Sequence, residues 1–65
     1  MYVIWNSTER KYVSKYGRKS SFTDKLQYAR VFPNKESAEK ECCPGNERVI
    51  ALSEIMERMQ FYSKY

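Results

Sequence analysis

Sixty-five residues, 42% apolar and 31% charged, with no histidine and a net charge of +4, admit a single domain over residues 1–65 whose core is small. A chain of this length buries only about 60% of the surface that its unfolded form exposes, so self-association or a partner would help it. The composition is not that of a disordered chain, no apolar run approaches the roughly 20 residues of a membrane span, and the opening MYVIWN lacks the features of a signal peptide; the expectation is a cytoplasmic protein without membrane contact.

Charge is unevenly spread. Residues 1–32 hold seven Lys and Arg against Glu9 and Asp24, a balance of +5, and residues 33–65 hold five against six. The same front half carries seven of the ten aromatic residues, more rings than a small core needs. The chain divides into a basic aromatic hairpin-and-loop region, 1–32, and a helix-strand-helix region, 33–65.

In chain order, Tyr2 to Trp5 is β-branched and aromatic, Asn6-Ser7-Thr8-Glu9 supplies turn chemistry, and Arg10 to Ser14 returns with Tyr12 and Val13; this pattern predicts a β-hairpin. Lys15 to Phe22 has no apolar period and reads as a mobile basic loop. Thr23-Asp24 caps a short helical turn through Tyr28, and Ala29 to Phe32 follows as a third short strand, stopped by Pro33. Asn34 is a suitable N-cap, Glu36 and Glu39 suit the positive end of a helix, and Ala38 with Cys42 forms an apolar i, i+4 pair, which predicts a helix over 35–43. Pro44-Gly45-Asn46 ends it. Arg48-Val49-Ile50-Ala51-Leu52 is an unbroken apolar run of the kind expected in a buried central strand. Ser53 then caps a last helix in which Ile55, Met56, Met59 and Tyr62 line one face. The fold class is α+β: a small antiparallel sheet of three or four strands packed on one helix, with a C-terminal amphipathic helix.

Cys42 and Cys43 are adjacent and without a third cysteine, so an intramolecular disulfide is disfavoured by geometry, and two thiols without histidine do not make a zinc site. One thiol is expected to face the core at the helix end and the other to lie at its rim. No metal or cofactor is implied.

Four stretches carry a resemblance: Tyr2-Val3-Ile4-Trp5 as an opening strand, Lys11-Tyr12-Val13 as its return, a T-x-x-L-x-x-A-x-x-F segment at Thr23, Leu26, Ala29 and Phe32, and Asn34-Lys35-Glu36-Ser37-Ala38-Glu39. Together they cover about residues 2 to 54 and resemble a type of small phage-encoded accessory protein used in host takeover or anti-defence. What the resemblance implies is a compact inhibitor of a host or defence enzyme, acting in the host cell. It transfers no active-site residue.

Catalysis is not expected. Histidine, the commonest general base at neutral pH, is missing, and neither a phosphate-binding glycine loop nor a carboxylate cluster is present. Binding is the expected activity, and its partner stays open at the level of sequence. Tyr, Trp, Met and Arg are enriched in interface cores, which favours a protein partner. Lys15, Arg18 and Lys19 with Tyr12 and Tyr16 form the candidate basic face; Ile55, Met56, Met59 and Tyr62 form the candidate association helix, with a homodimer as one outcome. The alternative is a small basic nucleic-acid-binding protein in which the same lysines neutralise phosphates and the rings stack on bases. The alternation of Lys11, Val13 and Lys15 against Tyr12, Ser14 and Tyr16 along a strand separates charge from rings and weakens that reading. A dimer that traps an anionic nucleotide signal between loops 15–21 is a third. A DNA mimic, which needs a dense acidic face, is disfavoured by the basic charge.

Overall fold

The computed structural model describes residues 1–56. Four strands, β1 (Tyr2–Asn6), β2 (Lys11–Val13), β3 (Phe22–Thr23) and β4 (Glu47–Ala51), form one antiparallel sheet in the order β3-β2-β1-β4. One α-helix, α1 (Lys35–Glu41), precedes β4, and residues 52–56 are helical immediately after it. The fold is α+β.

The hairpin forms where the sequence predicts it, with Trp5 opposite Tyr12 and Asn6 opposite Lys11. Its turn closes through the Arg10 N–H, which donates to the Asn6 carbonyl at 2.8 Å, with Arg10 itself at a φ of 57°. Buried Asn6 holds the turn from inside. Its Oδ1 accepts from the Glu9 N–H at 2.8 Å and its Nδ2 donates to Glu47 Oε2 at 2.9 Å, which ties the hairpin to the start of β4.

Beyond Lys11 and Tyr12 the two hairpin strands part, and residues 28–32 occupy the gap. On one side the Arg30 N–H donates to the Val13 carbonyl and the Lys15 N–H to that of Tyr28, both at 2.9 Å; on the other, Tyr2 and Phe32 exchange bonds of 2.9 and 2.8 Å. The expected third strand at Ala29 to Phe32 is therefore corrected: it is a wedge held by two isolated bridges, Ser14 to Ala29 and Tyr2 to Phe32. The true third strand is Phe22–Thr23, in part of what reads as loop by sequence. Two residues are too few to show a period, and only pairing with Tyr12 and Val13 makes them a strand. Thr23 does not cap the helical turn. Its Oγ1 accepts from the Lys25 N–H at 3.1 Å, and the 3-10 turn Leu26–Tyr28 follows without a side-chain cap.

Helix α1 begins as its sequence dictates, with Asn34 Oδ1 accepting from the Ser37 N–H at 2.8 Å. It ends at Glu41, two residues earlier than expected, where Cys42 takes extended backbone. Gly45, at a φ of 105°, turns the chain toward β4.

Alternate residues of the strands feed two separate cores on opposite faces of the sheet. On one face Ile4 packs with Phe32 and Ala38, flanked by Val13, Cys42 and Val49. On the other Val3 packs with Ala29 and Ile55, flanked by Tyr12, Leu26, Ile50 and Leu52. Helix α1 covers the first face; the 3-10 turn and the helical residues after β4 cover the second. This arrangement corrects the position expected of β4, which is an edge strand and not a central one. Its unbroken apolar run has another cause: both faces of the sheet are covered, so Val49 and Ile50 each meet a core.

The T-x-x-L-x-x-A-x-x-F spacing has a packing basis. Thr23, Ala29 and Phe32 are buried and Leu26 is half-buried, because each third residue of this winding segment turns inward.

Candidate interaction surface

The basic face is built where the loop after β2 meets the end of α1. The ladder between residues 13–15 and 28–30 sets Lys15 beside Tyr28, and Gly17, at a φ of 85°, lets the chain turn back toward β3. Tyr16 lies at the head of this turn with 73% of its surface exposed. It is held on two sides. Its hydroxyl donates to Glu41 Oε1 at 2.6 Å, and the Arg30 guanidinium lies 3.5 Å from its ring centroid while Nη1 of the same arginine donates to the same Glu41 oxygen at 3.1 Å. Donation to a carboxylate pushes the Tyr16 hydroxyl above its ordinary pKa, so the ring remains a neutral phenol at physiological pH. A second pair stands alongside, with the Arg18 guanidinium 4.0 Å from the Tyr28 ring centroid. Both distances lie within the range of cation–π attraction. Between loop and helix end runs a groove of about 310 Å³ lined by Lys15, Tyr16, Arg18, Arg30, Glu41 and Glu47, among others.

Glu47 anchors the floor of this groove. Burial works against its charge, but bonds from the Cys43 N–H at 3.0 Å and from the Asn6 amide outweigh it and hold the carboxyl below the usual carboxylate range. The neighbouring thiols divide as the sequence suggests. Cys42 is half-buried against the Ile4 core and Cys43 is exposed. Burial, with the Glu47 carboxylate nearby, pushes the Cys42 thiol up, so it stays protonated and unreactive at neutral pH.

Of the residues singled out by sequence, Lys15, Tyr16 and Arg18 come together at this groove. Lys19 is exposed and lies outside its lining. Tyr12 belongs elsewhere: it is half-buried on the Val3 face of the sheet, its ring edge-on to Trp5 at 72° and 5.1 Å. The strand alternation that put Tyr12 and Tyr16 on one side, opposite Lys15, stops applying because regular strand ends at Val13. Arg30, Glu41 and Tyr28 complete the site without any local sequence signal. Tyr16 and Glu41 are 25 residues apart, and no local spacing signals that they meet.

The association helix is corrected at Ile55, which is 9% exposed and part of the Val3 core, whereas Met56 is 54% exposed. Met59 and Tyr62 lie outside the described residues. Among the described residues no helix is long and apolar enough to cross a membrane, and no group of three His, Cys, Asp or Glu side chains is placed to hold a metal ion.

Fold and surface together define a small α+β domain, its four-stranded sheet covered on both faces, that presents a braced tyrosine–arginine surface at one end. No family model, curated protein or solved structure matches the chain.

Proposed function

We propose that this chain is a non-enzymatic interaction module of phage type that binds and inhibits a host or defence protein in the host cytoplasm, using the surface formed by Tyr16, Arg18, Tyr28 and Arg30. The observation that carries the reading is the bracing of Tyr16. An aromatic side chain that is 73% exposed yet fixed by Arg30 and Glu41 loses little freedom on binding, and such preorganised Tyr and Arg groups are the usual anchors of protein interfaces. Lys15 and Arg18 surround it with positive charge suited to an acidic rim on the partner.

Two features of the same site disfavour the nucleic-acid alternative. One face of each of the Tyr16 and Tyr28 rings is taken by a guanidinium, and the Glu41 carboxylate sits among the cations that would otherwise meet phosphate. Catalysis is likewise disfavoured by the lack of any histidine to serve as a base beside Tyr16 or Cys43.

Affinity capture of the tagged full chain from host lysate, with and without nuclease, tests the proposal. A stoichiometric, nuclease-resistant protein partner is expected, and Tyr16→Ala should weaken its binding by about 2 kcal/mol or more. Simultaneous charge reversal of Lys15, Arg18 and Lys19 should abolish capture while the far-ultraviolet spectrum is unchanged. Bound material that disappears with nuclease, with log K falling against log salt concentration at a slope of about 0.9 per neutralised duplex phosphate, would replace this reading with nucleic-acid binding.

A further inference from the structure

Strand β4 has one paired edge and one open edge. Toward β1, the Leu52 N–H donates to the Met1 carbonyl at 2.9 Å and the Ser7 N–H to that of Asn46 at 2.7 Å. The continuous register from Tyr2 opposite Ala51 to Asn6 opposite Glu47 therefore gives Arg48 and Ile50 the inward hydrogen bonds. Val49 and Ala51 direct their N–H and C=O groups outward, where no described residue pairs with them. The Glu47 N–H, which also points that way, is occupied by the Cys43 carbonyl at 3.1 Å.

Edge strands are normally guarded by charged side chains, proline, a bulge or shortness. Glu47–Ala51 carries charge only at its first two residues, Glu47 and Arg48, and otherwise runs five residues in unbroken register without proline or positive φ. It is also the longer of the two sheet edges, since β3 has two residues. A hollow borders the edge on each face: about 410 Å³ where Val49 and Cys42 lie among the charged Lys35, Glu39, Glu47 and Arg48, and about 230 Å³ where Trp5, Ile50 and Ile55 lie beside Arg48 and Glu54.

We infer that this edge pairs with β4 of a second copy of the chain, antiparallel and about a twofold axis at Val49, to form a continuous eight-stranded sheet. The sequence Glu-Arg-Val-Ile-Ala is complementary to itself in this register and not in its neighbours. Val49 faces Val49 of the second copy, Arg48 faces Ile50, and Glu47 faces Ala51, so no charge stands directly opposite its like, and the two Arg48 side chains are only diagonal neighbours. Moving the axis to Arg48 sets two guanidinium groups opposite one another, and moving it to Ile50 carries Glu47 and Arg48 past the partner strand, because residue 52 is already helical. Four backbone bonds form: two between the Val49 residues and two from Ala51 N–H to Glu47 carbonyl. Charge also matches across the axis. Glu54 borders the same small hollow as Arg48 and Ile50 of its own chain, so Arg48 of the second copy, lying over Ile50, brings a second cation to its carboxylate. Neither Arg48 nor Glu54 has an ion pair among the described residues.

Amide hydrogen exchange on the full chain across a dilution series, read beside sedimentation equilibrium, tests the inference. At high concentration the mass should be twice that of one chain, and the Val49 and Ala51 amides should exchange about tenfold or more slowly than in dilute solution, in proportion to the dimer fraction. The Arg48 and Ile50 amides, bonded to β1, should be protected at every concentration. Arg48→Glu, on an exposed side chain, should weaken the dimer about tenfold by facing Glu54 with a like charge, and Arg48→Glu with Glu54→Arg should restore it. A monomer at every concentration overturns the inference. So does a dimer in which Val49 and Ala51 exchange freely, or protection of those amides that ignores dilution, since the edge would then be covered by the chain itself.

Discussion

Asn6 does more for this fold than its position in a turn suggests. It is 3% exposed, and its one amide group serves both the hairpin turn through Glu9 and the start of β4 through Glu47. Asn6→Ala deletes both bonds and leaves the Glu9 N–H without its acceptor, which should cost about 1–3 kcal/mol, measurable as a lower urea midpoint. The Glu47 carboxylate, held below the usual carboxylate range by its donors, links stability to pH. A carboxyl group with a depressed folded pKa stabilises the protein above its unfolded value, about 4.3, and that contribution is lost as pH falls through the folded value. The urea midpoint should therefore drop on acidification below pH of about 5, and drop less steeply in Glu47→Gln. An identical pH dependence in the two proteins would show that Glu47 is not the linked group.

At the scale of elements, α1 depends on its cap more than most helices do. Seven residues form barely two turns, and only Ala38 is buried, so neither length nor a broad apolar face secures it. Asn34→Ala removes the acceptor of the Ser37 N–H and should destabilise the protein by about 1 kcal/mol. Because α1 carries Glu41, fraying of the helix would also release Tyr16, so the same substitution should weaken partner binding without touching the binding surface. The hairpin shows the opposite economy. Its turn tolerates Arg10 in the left-handed region because the Asn6 bonds and both strand pairings hold it there.

For the whole molecule, the consequence of covering both sheet faces is two small cores in place of one large one. Each centres on one fully buried β1 side chain, Val3 at 0% and Ile4 at 1% exposure. A domain of this size rarely has more than about 3–5 kcal/mol from its core, and truncating a buried isoleucine costs about 2–5 kcal/mol. Ile4→Ala should thus leave a large unfolded fraction at 25 °C, visible as loss of near-ultraviolet signal from Trp5. Retention of a sharp thermal transition near that of the parent chain would mean that the Ile4 core collapses around the gap. Pairing through β4 would add stability that grows with concentration.

Several elements can be read from the chain directly because short-range forces make them: the hairpin from its alternating strands and turn residues, α1 from the Asn34 cap, the break at Pro44-Gly45, and the split of Cys42 from Cys43 at a helix end. The α+β class follows from their order. Four other features rest on contacts between residues far apart in the chain. Phe22–Thr23 became a strand only by meeting β2, Ala29 to Phe32 became a wedge only because β1 and β2 diverge, and Ile55 became core because the sheet face beneath it was open. The same holds for the surface around Tyr16, which needs Arg30 and Glu41 from two later elements. Periodicity records how much of a residue is buried, but not which neighbour buries it; a run such as Val49-Ile50 looks the same in the middle of a sheet as at an edge with both faces covered.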